Sequence, residues 1–333
     1  MWKIGPYSVG SRVVLAPMAG VSDLPFRQLC RAMGAGLAAS EMLTSDSSLW
    51  DSRKSSRRLA GLASESGLRV VQIAGSEPAM MAEAARACVD RGAQVVDINM
   101  GCPAKKVCKS AAGSALLRDV PLVTSILEAV VAAVPVPVTL KMRTGWCPDS
   151  RNALIIGTLA EKTGIQAIAL HGRTRACGYH APAEYDTIAD LVSRVGIPVI
   201  ANGDISTPQQ ARHVLDYTGA AAVMIGRAAH GRPWLVQEMA HYLHYGTLLP
   251  DIAVAGKHAI VLQHVHALHE FYGETQGVKI ARKHVGWYGQ FLDFPAAWRT
   301  RFNRLQQAPE QIAALQQIMK TDSDPEGIKV MAA

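Results

Sequence analysis

The sequence lacks the cysteine patterns of a disulfide framework and of a zinc site. Its six cysteines are scattered along 333 residues, with no CxxC pair and no Cys/His cluster at the spacing of zinc ligands. Scattered free cysteines are typical of proteins in a reducing compartment. We therefore expect a cytoplasmic protein with neither disulfides nor a bound metal.

Long apolar runs are also missing. No uninterrupted run reaches the ~18 residues that a membrane span requires, and the apolar stretch 129–138 is interrupted by Pro135 and Pro137. The first ten residues lack the apolar core of a signal peptide. We expect no membrane contact. The net charge of +7 is by itself only a weak indication of a polyanionic partner.

What the sequence does have is a series of short apolar runs at regular intervals, separated by stretches with helical ends. The runs cover residues 12–18, 36–42, 69–75, 94–100, 137–143, 167–173, 198–204 and 221–227. Such runs are typical of parallel strands that are covered on both faces. Eight strand–helix units predict an α/β fold, a (β/α)8 TIM barrel. A doubly wound open sheet is the alternative, but no GxGxxG motif follows a strand.

The ends of the intervening helices are marked by capping residues. Ser206 or Thr207 would cap one helix that ends before Gly219, and Ser22 would cap another that ends at Gly34. The alternation of strands and helices stops near residue 245. From there on the apolar positions follow helical spacing, over 258–273, 278–292 and 309–319. We predict a barrel domain over 1–248, a helical domain over 249–320 and a flexible tail over 321–333.

Polar residues follow the predicted strands at their carboxyl ends, which in a barrel surround the mouth of the active site. They include Glu41, Gln72, Asn99, Lys141, His171, Arg173, Asn202, Asp204 and Arg227. A structural fold needs none of them, so their recurrence at equivalent positions predicts a binding site. Any single member remains open to interpretation as a hydrogen-bonded core residue.

The predicted mouth has features that suit a flavin mononucleotide. Gly203, Gly226 and Arg227 follow the last two strands, where barrels often bind a phosphate. The first strand ends in a flat apolar turn at residues 17–19, which suits a planar ring. Gln72 offers a donor and an acceptor to a polar ring edge. Lys141 provides a cation for an electron-rich ring atom, or alternatively a Schiff-base amine in an aldolase-like barrel.

Cys102 stands between Gly101 and Pro103, directly after a predicted strand. One interpretation is a small buried apolar residue. The other is a general acid, because a thiol with an ordinary pKa of ~8.5 can donate a proton near neutral pH. Next to a reduced flavin, such a thiol would protonate one carbon while hydride reaches the adjacent carbon. Asn99 would contact a uracil-like edge, so these residues favour flavin-dependent reduction of a polar C=C bond.

Several longer motifs resemble those of the tRNA-dihydrouridine synthases, and most closely those of the bacterial B-type enzymes. The motifs are "APMAGVSDLPFRQLC", "INMGCPAKKV", "LKMRTGW", "ALHGRTRACGYHAPAEYD", "VIANGDI" and "MIGRAAHGRPW". "NMGCPAKKV" and "HGRTR" are specific to the family, whereas "IANGDI" and "IGR" occur in other flavin barrels. The resemblance covers nearly the whole chain. It departs from the family pattern at Cys108, where a polar residue is expected.

The resemblance implies an enzyme that reduces uridine in the tRNA D-loop with FMN, and NADPH as the reductant. It implies that Cys102 protonates uracil C5, that hydride arrives at C6, and that Asn99 and Arg173 position the uracil. The residues it implies for FMN are Pro17, Met18, Ala19, Gln72, Lys141, His171, Asn202, Gly203, Asp204, Gly226 and Arg227. The B-type likeness makes position 17 the first guess for the target uridine.

Two basic stretches support an RNA partner independently. One lies in the helical region, where Trp287, Tyr288 and Trp298 are interspersed among basic residues that include Lys279, Arg282 and Lys283. The other lies on the predicted mouth side and contains Arg53, Lys54, Arg57, Arg58, Lys105 and Lys106. The alternative for the first stretch is a solvated helix face with its aromatic residues in the core.

Two other functions remain open at this point. One is a reductase of free pyrimidines, similar to dihydroorotate dehydrogenases, which would need no basic helical domain. The other is an RNA-binding chaperone with a vestigial flavin, in which Cys102 would be dispensable. We expect a monomer without an obligate protein partner.

Overall fold

The structure, a computed structural model, describes residues 1–322, except for the side chains of residues 53, 54, 64, 321 and 322. The predicted tail over 321–333 falls largely outside the described residues; its first two residues belong to the last helix. Within the described part, the chain divides into two compact units. The first comprises Met1–Ala228 and Leu235–Thr247, and the second comprises Ala229–Trp234 and the chain from Leu248 onward.

The first unit is built on parallel strands that alternate with helices. After an antiparallel hairpin, β1 and β2, the strands follow the predicted apolar runs. Their bounds are β1 Trp2–Ile4, β2 Tyr7–Val9, β3 Val13–Leu15, β4 Leu37–Ala38, β5 Leu43–Thr44, β6 Val70–Ala74, β7 Val95–Met100, β8 Val138–Arg143, β9 Ala167–His171, β10 Val199–Asn202 and β11 Ala222–Ile225.

The sheet of the first unit curls into a ring. In the described residues its strand order is β4-β3-β11-β10-β9-β8-β7-β6-β5. β4 and β5 occupy the second barrel position together, and a parallel bridge between Ala39, directly after β4, and Val70 of β6 closes the ring. The ring therefore has eight strand positions, which confirms the predicted (β/α)8 barrel. The second predicted strand, 36–42, is shorter than predicted: β4 ends at Ala38, and β5 begins at Leu43, beyond the run. Between them Ser40 N donates to Val70 O at 2.9 Å, and the Ser40 hydroxyl accepts a hydrogen bond from Gln72 N at 3.1 Å.

The helices have the following bounds. In the first unit they are α1 Leu24–Ala32, α2 Arg53–Leu59, α3 Pro78–Asp90, α4 Lys105–Lys109, α5 Val120–Ala133, α6 Ala153–Thr163, α7 Asp186–Arg194, α8 Pro208–Thr218 and α9 Leu235–Tyr245. In the second unit they are α10 Val254–Tyr272, α11 Glu274–Tyr288, α12 Ala296–Phe302 and α13 Ala308–Asp322. No helix among the described residues is long and apolar enough to cross a membrane.

The helix caps agree with the sequence prediction in one case and differ in another. Thr207 caps α8, since its hydroxyl accepts a hydrogen bond from Gln210 N at 3.1 Å. The predicted cap Ser22 is wrong: Asp23 caps α1 and accepts from Phe26 N at 3.0 Å. The hydroxyl of Ser22 instead accepts from Met18 N at 2.7 Å. Ser22 therefore stabilises the turn after β3 rather than the helix.

One end of the barrel is closed by apolar side chains, which leaves the opposite end for the site. Trp2, Ile4 and Val9 of the hairpin form a cluster with the inward-facing residues of the strands, among them Val14 and Ala167. Many of these residues lie in the first half of their strands. The carboxyl ends of the strands, with the loops that follow them, therefore form the mouth.

The second unit is a helical bundle with polar links in its interior. Gln311 of α13 is fully buried. It donates to Val278 O at 3.2 Å and pairs with His269 Nε2 at 2.8 Å. His264 Nδ1 and the hydroxyl of Tyr288 lie 2.9 Å apart. These contacts tie α10, α11 and α13 together.

Candidate active site

The loop after β7 presents Cys102 at the barrel mouth and is held from two sides. The side-chain oxygen of Asn99 accepts from Gly101 N at 3.1 Å and from Cys102 N at 2.9 Å. The carbonyl of Cys102 accepts from the hydroxyl of Ser114 at 2.9 Å. Gly113 approaches the same carbonyl with φ of +62°, and a Cβ there would lie 2.9 Å from the oxygen. The backbone of Cys102 is therefore held in place by bonds to its own segment and to residues 113–114.

The thiol of Cys102 is suited to hold a proton. It is half-buried, and this burial raises its pKa above the ordinary value. A hydrogen bond from the backbone of Ala104 and the charges of Arg143 and Lys141 act in the opposite direction. The thiol is therefore protonated at neutral pH. Once it has lost its proton, the thiolate is partly stabilised by the same hydrogen bond and positive charges.

Gln72 and Asn99 are joined through their amides. Asn99 Nδ2 donates to Gln72 Oε1 at 2.8 Å, and Gln72 Nε2 donates to Asp97 Oδ2 at 2.7 Å. Asp97 also accepts from the hydroxyl of Thr139 at 2.7 Å. Asp97 was missed by the sequence analysis, although a single acid inside the apolar run 94–100 is a signal that could have identified it.

Lys141 lies in the barrel interior next to the thiol. Its ammonium group donates to Asn202 Oδ1 at 3.1 Å. Asn202 is itself oriented because its Nδ2 donates to Met224 O at 2.8 Å. Burial, reinforced by the charge of Arg143, lowers the pKa of Lys141 to about 8.

Positive charge is concentrated around His171. Burial lowers the pKa of His171 to about 2, and the charges of Lys141, Arg143, Arg173 and Arg227 act in the same direction. The imidazole is therefore neutral at physiological pH. Several cations around a neutral ring form an environment that attracts an anionic ligand.

The side chain of Arg173 is buried and already engaged with the protein. Its Nε donates to Ala181 O at 2.6 Å, and its Nη1 lies 3.3 Å from His171 Nε2. Its Nη2 forms an ion pair with Asp204. The carboxylate of Asp204 also accepts from Ala183 N at 2.9 Å and lies 3.6 Å from Arg227. Arg173 therefore organises the loop after β9 in this structure.

The turn over residues 17–19 lies beside the loop after β11. A Cβ on Gly226 would come within 3.4 Å of Met18 Sδ, so these two predicted flavin contacts are adjacent. Gly203 has a φ of +133°, which favours glycine, and a Cβ there would lie only 2.5 Å from Ala183 Cβ. Gly203 therefore permits the close packing of Ala183 and His171 against the loop after β10.

Arg143 is a second residue that the sequence analysis missed. It ends β8, and its Nε donates to Gly101 O at 2.9 Å. Its Nη1 donates to Thr174 O at 3.1 Å. Its guanidinium lies 5.6 Å from the ring centre of Tyr179, and that of Arg227 lies 4.1 Å from the same centre. The position of Arg143 at a strand end, in the run "LKMR", was the available signal.

The donor set at the mouth fits FMN. A cofactor with one phosphate and a planar ring needs cations, backbone amides and a flat apolar surface. The structure gathers Lys141, His171, Arg227, the backbone near Gly203 and Gly226, and the turn at residues 17–19 at one end of the barrel. The ammonium of Lys141 is half-buried and donates to the amide oxygen of Asn202, which suits a cation for an electron-rich ring.

The predicted tRNA contacts of the first unit differ in their availability. Lys105 and Lys106 are exposed on α4, next to the Cys102 loop. Arg58 is largely buried, and it donates to Met42 O at 2.5 Å and pairs with Glu41 at 3.3 Å. Arg57 also forms interactions within the protein. The side chains of residues 53 and 54 are outside the described set.

The predicted tRNA contacts of the second unit lie on α11. Lys279 and Lys283 are exposed, and the ammonium of Lys283 lies 5.4 Å from the ring centre of Trp287. Arg282 Nη2 donates to Leu305 O at 2.7 Å. Tyr288 and Trp298 are buried in the helical core. Of the three aromatic residues in this basic stretch, these two therefore belong to the packing of the unit.

The sequence of this chain matches one family model and several known proteins. A family model described as dihydrouridine synthase matches residues 14–323. The chain is 59% identical to tRNA-dihydrouridine synthase B of Pseudomonas syringae pv. tomato over 311 residues, which are 93% of this chain and 92% of that protein. It is 54% identical to tRNA-dihydrouridine synthase B of Escherichia coli K12, over 94% of this chain and 98% of that protein.

Among solved structures, an old yellow enzyme homologue from Zymomonas mobilis superimposes with a TM-score of 0.52 at 14% identity. The match covers 75% of this chain and 93% of that chain. A 2-naphthoyl-CoA reductase gives a TM-score of 0.55 at 13% identity, over 73% of this chain and 51% of that chain. At these identities the likeness concerns the fold, and it agrees with a TIM barrel.

Proposed function

The chain belongs to the dihydrouridine synthase family, and we propose that it reduces the C5–C6 double bond of a uridine in the tRNA D-loop, with FMN as its cofactor. The observation that carries this proposal is the Cys102 loop, held by Asn99 and Ser114 on the same barrel mouth as Lys141, His171 and Arg227. The named relatives support tRNA as the substrate.

The residues that would hold FMN are those that the sequence analysis assigned. They are Pro17, Met18, Ala19, Gln72, Lys141, His171, Asn202, Gly203, Asp204, Gly226 and Arg227. When bound, FMN supplies the hydride for uracil C6. Arg173 and Arg227 compensate the charge of Asp204, so that this carboxylate does not repel a phosphate. Lys141 and the neutral His171 would contact the ring and its substituents.

Cys102 would donate the proton to uracil C5. Burial keeps the thiol protonated before the reaction, as a general acid requires. The bond from the backbone of Ala104 and the charges of Lys141 and Arg143 would stabilise the thiolate left behind. Holding the Cys102 backbone between Asn99 and Ser114 fixes the distance from the thiol to the substrate carbon, and such positioning is a large part of catalysis.

Asn99 and Arg173 are proposed to position the uracil. The second Nδ2 hydrogen of Asn99 has Met42 Sδ, at 3.7 Å, as its partner. A thioether is a weak acceptor, so a uracil carbonyl would compete successfully for this hydrogen. Arg173 already donates to Ala181 O and to Asp204. Its contribution would therefore be to shape the wall of the uracil site.

We also propose the remaining features of the reaction. NADPH would reduce the flavin, the exposed Lys105 and Lys106 would contact tRNA phosphates, and the helical unit would contribute Lys279 and Lys283. A uridine must leave its stack to reach the barrel mouth, at a cost of a few kcal/mol that is lowest in a loose loop. The activity would be cytoplasmic and the protein a monomer. Position 17 of the D-loop is the first target to examine.

The test is dihydrouridine mapping on tRNA from a strain that lacks this gene, compared with the same strain carrying the wild-type gene or Cys102→Ala. We expect one D-loop position to lose dihydrouridine, and only the wild-type gene to restore it. No change at any D-loop position would overturn the proposal. A free-pyrimidine reductase would then be examined with uracil as the substrate, whereas restoration by Cys102→Ala would favour an RNA-binding role.

A further inference from the structure

A chain of buried hydrogen bonds runs from Asp97 to the backbone of Cys102. Asp97 Oδ2 accepts from Gln72 Nε2 at 2.7 Å, Gln72 Oε1 accepts from Asn99 Nδ2 at 2.8 Å, and Asn99 Oδ1 accepts from Cys102 N at 2.9 Å. We propose that Asp97 is a positioning residue, which orients both amides and thereby holds Cys102 in place. The inference rests on the proposed function, because it concerns the thiol assigned there.

The direction of every bond in this chain follows from its first member. An ionised carboxylate accepts hydrogen bonds and cannot donate them. Gln72 must therefore turn its NH2 group to Asp97, which leaves its oxygen for Asn99. Asn99 must in turn present its NH2 group to Gln72, so its oxygen faces the N–H groups of Gly101 and Cys102. Reversing either amide would place two donors or two acceptors against each other.

The environment of Asp97 is consistent with a carboxylate anchor. Its side chain is 6% exposed. Burial raises its pKa to about 6, against the opposing effects of the bonds from Thr139 and Gln72 and of the charge of Lys141. At pH 7 and above the group is mainly ionised. A buried polar chain in which every member is paired confers a unique geometry on its surroundings.

The chain requires an acceptor oxygen at position 97 rather than a negative charge. An amide at this position can keep its oxygen on Gln72 Nε2, because the hydroxyl of Thr139 accepts as readily as it donates. Asp97→Asn should therefore preserve the orientation of Gln72 and Asn99. Asp97→Leu, which is similar in volume and has no acceptor, should release both amides. If Asp97 acted only through its negative charge on Lys141, both variants would lose that effect, and Asp97→Asn would behave like Asp97→Leu.

The experiment combines hydrogen exchange with kinetics on the flavin-loaded enzyme. The first readout is the exchange rate of the peptide that contains residues 99–102, measured by mass spectrometry. We expect the amides of Gly101 and Cys102 to exchange about tenfold faster in Asp97→Leu, because one net hydrogen bond is worth about one order of magnitude. In Asp97→Asn these amides should exchange at the wild-type rate. The same holds for the matched control Thr139→Val, which removes a neighbouring buried hydrogen bond and leaves Gln72 bonded to Asp97.

The second readout is the kinetics of uridine reduction. A displaced thiol should lower kcat about 10- to 100-fold and leave the KM for tRNA unchanged, and Asp97→Asn should recover kcat. If Asp97→Leu does not fold, Gln72→Met breaks the chain at its second link and should give the same loop exchange; because Gln72 is also assigned to FMN, this variant is compared with the wild type at equal flavin occupancy. Unchanged exchange in the folded variant, or faster exchange without a loss of kcat, would overturn the proposal. If the wild type reduces no tRNA uridine, the proposed function fails while the exchange result still decides whether Asp97 holds the loop.

Discussion

Replacing Gly113 by alanine tests whether the position of Cys102 depends on the close packing of its loop. Gly113 has a φ of +62°, and an added Cβ would lie 2.9 Å from the Cys102 carbonyl oxygen, 2.9 Å from Val107 Cγ1 and 3.2 Å from Cys102 Cβ. The left-handed conformation costs an alanine about 1–2 kcal/mol. The two close contacts require the loop to shift by a few tenths of an ångström, because the carbonyl also accepts from Ser114.

We expect Gly113→Ala to lower the free energy of unfolding by about 2–5 kcal/mol, as the backbone strain and the overpacking combine. The shift moves the thiol relative to the substrate carbon, and such misplacement costs about 10- to 100-fold in rate. The assay is the single-turnover formation of dihydrouridine at saturating tRNA, together with urea unfolding. Saturation separates the chemical step from tRNA binding.

The matched control is Gly10→Ala. Gly10 has no left-handed φ, and a Cβ there meets nothing within 4 Å. This variant should unfold at the same or a slightly higher urea concentration and react at the wild-type rate. A Gly113→Ala enzyme with the wild-type rate would refute the reasoning that the loop sets the position of the thiol.

Three further predictions concern pH and salt. Burial lowers the pKa of His264 to about 3 and that of His284 well below its ordinary value. Below pH 6.5 the unfolded chain binds these two protons and the folded chain does not, so the free energy of unfolding of the helical unit should fall by about 1.4 kcal/mol for each histidine with every unit that the pH is lowered. Urea midpoints that are equal at pH 7 and pH 5 would contradict this. Because burial lowers the pKa of Lys141 to about 8 and raises that of Cys102 above its ordinary value, uridine reduction should decline near pH 8, as the Lys141 ammonium loses its proton, and decline further at higher pH, as the thiol ionises. A decline that is complete by pH 7 would exclude a protonated thiol as the acid. Lys105→Ala and Lys106→Ala should each reduce the slope of log affinity for tRNA against log salt by about 1, and an unchanged slope would remove that lysine from the tRNA contacts.

The fold could be predicted from the sequence because parallel strands buried on both faces leave a continuous apolar signal. The predicted runs and the observed strands agree in order and position, except that the hairpin of β1 and β2 was not predicted and the second run differs. Within the second run, 36–42, only Leu37–Ala38 forms a strand, and Ser40 bonds to the neighbouring strand β6 through its hydroxyl as well as its backbone N–H. A polar residue that bonds across the sheet is invisible to a pattern that counts apolar residues.

Short helices and their caps were harder to predict. The helix α12 was missed because Trp298 was read as part of a basic, aromatic stretch for RNA contacts, and its spacing to Phe302 was not considered. Their spacing of four residues indicates a helix face, and in the structure both are buried with ring centres 5.1 Å apart. The cap of α1 was misplaced by one residue because Ser22 and Asp23 are both good capping residues. Only the hydrogen bond from Phe26 N distinguishes them.

The sequence could predict which residues lie at the strand ends of the site, but not the hydrogen bonds that join them. Sequence position places Gln72 and Asn99 at the mouth, yet the bond between them joins residues 27 positions apart. Asp97 and Arg143 were not predicted because each acts on another residue's backbone or amide. Arg58 and Arg282 illustrate the opposite problem. They contribute to a basic stretch in the sequence, whereas in the structure their guanidinium groups bond to the backbone carbonyls of Met42 and Leu305.

The most direct test of the central claim is to mix the pre-reduced, flavin-loaded enzyme anaerobically with tRNA that lacks dihydrouridine and to follow flavin oxidation. We expect rapid oxidation that matches dihydrouridine formation in the wild type. In Cys102→Ala we expect oxidation at least about 100-fold slower, with an unchanged rate of flavin reduction by NADPH. Oxidation at the wild-type rate in Cys102→Ala would contradict the assignment of Cys102 as the proton donor.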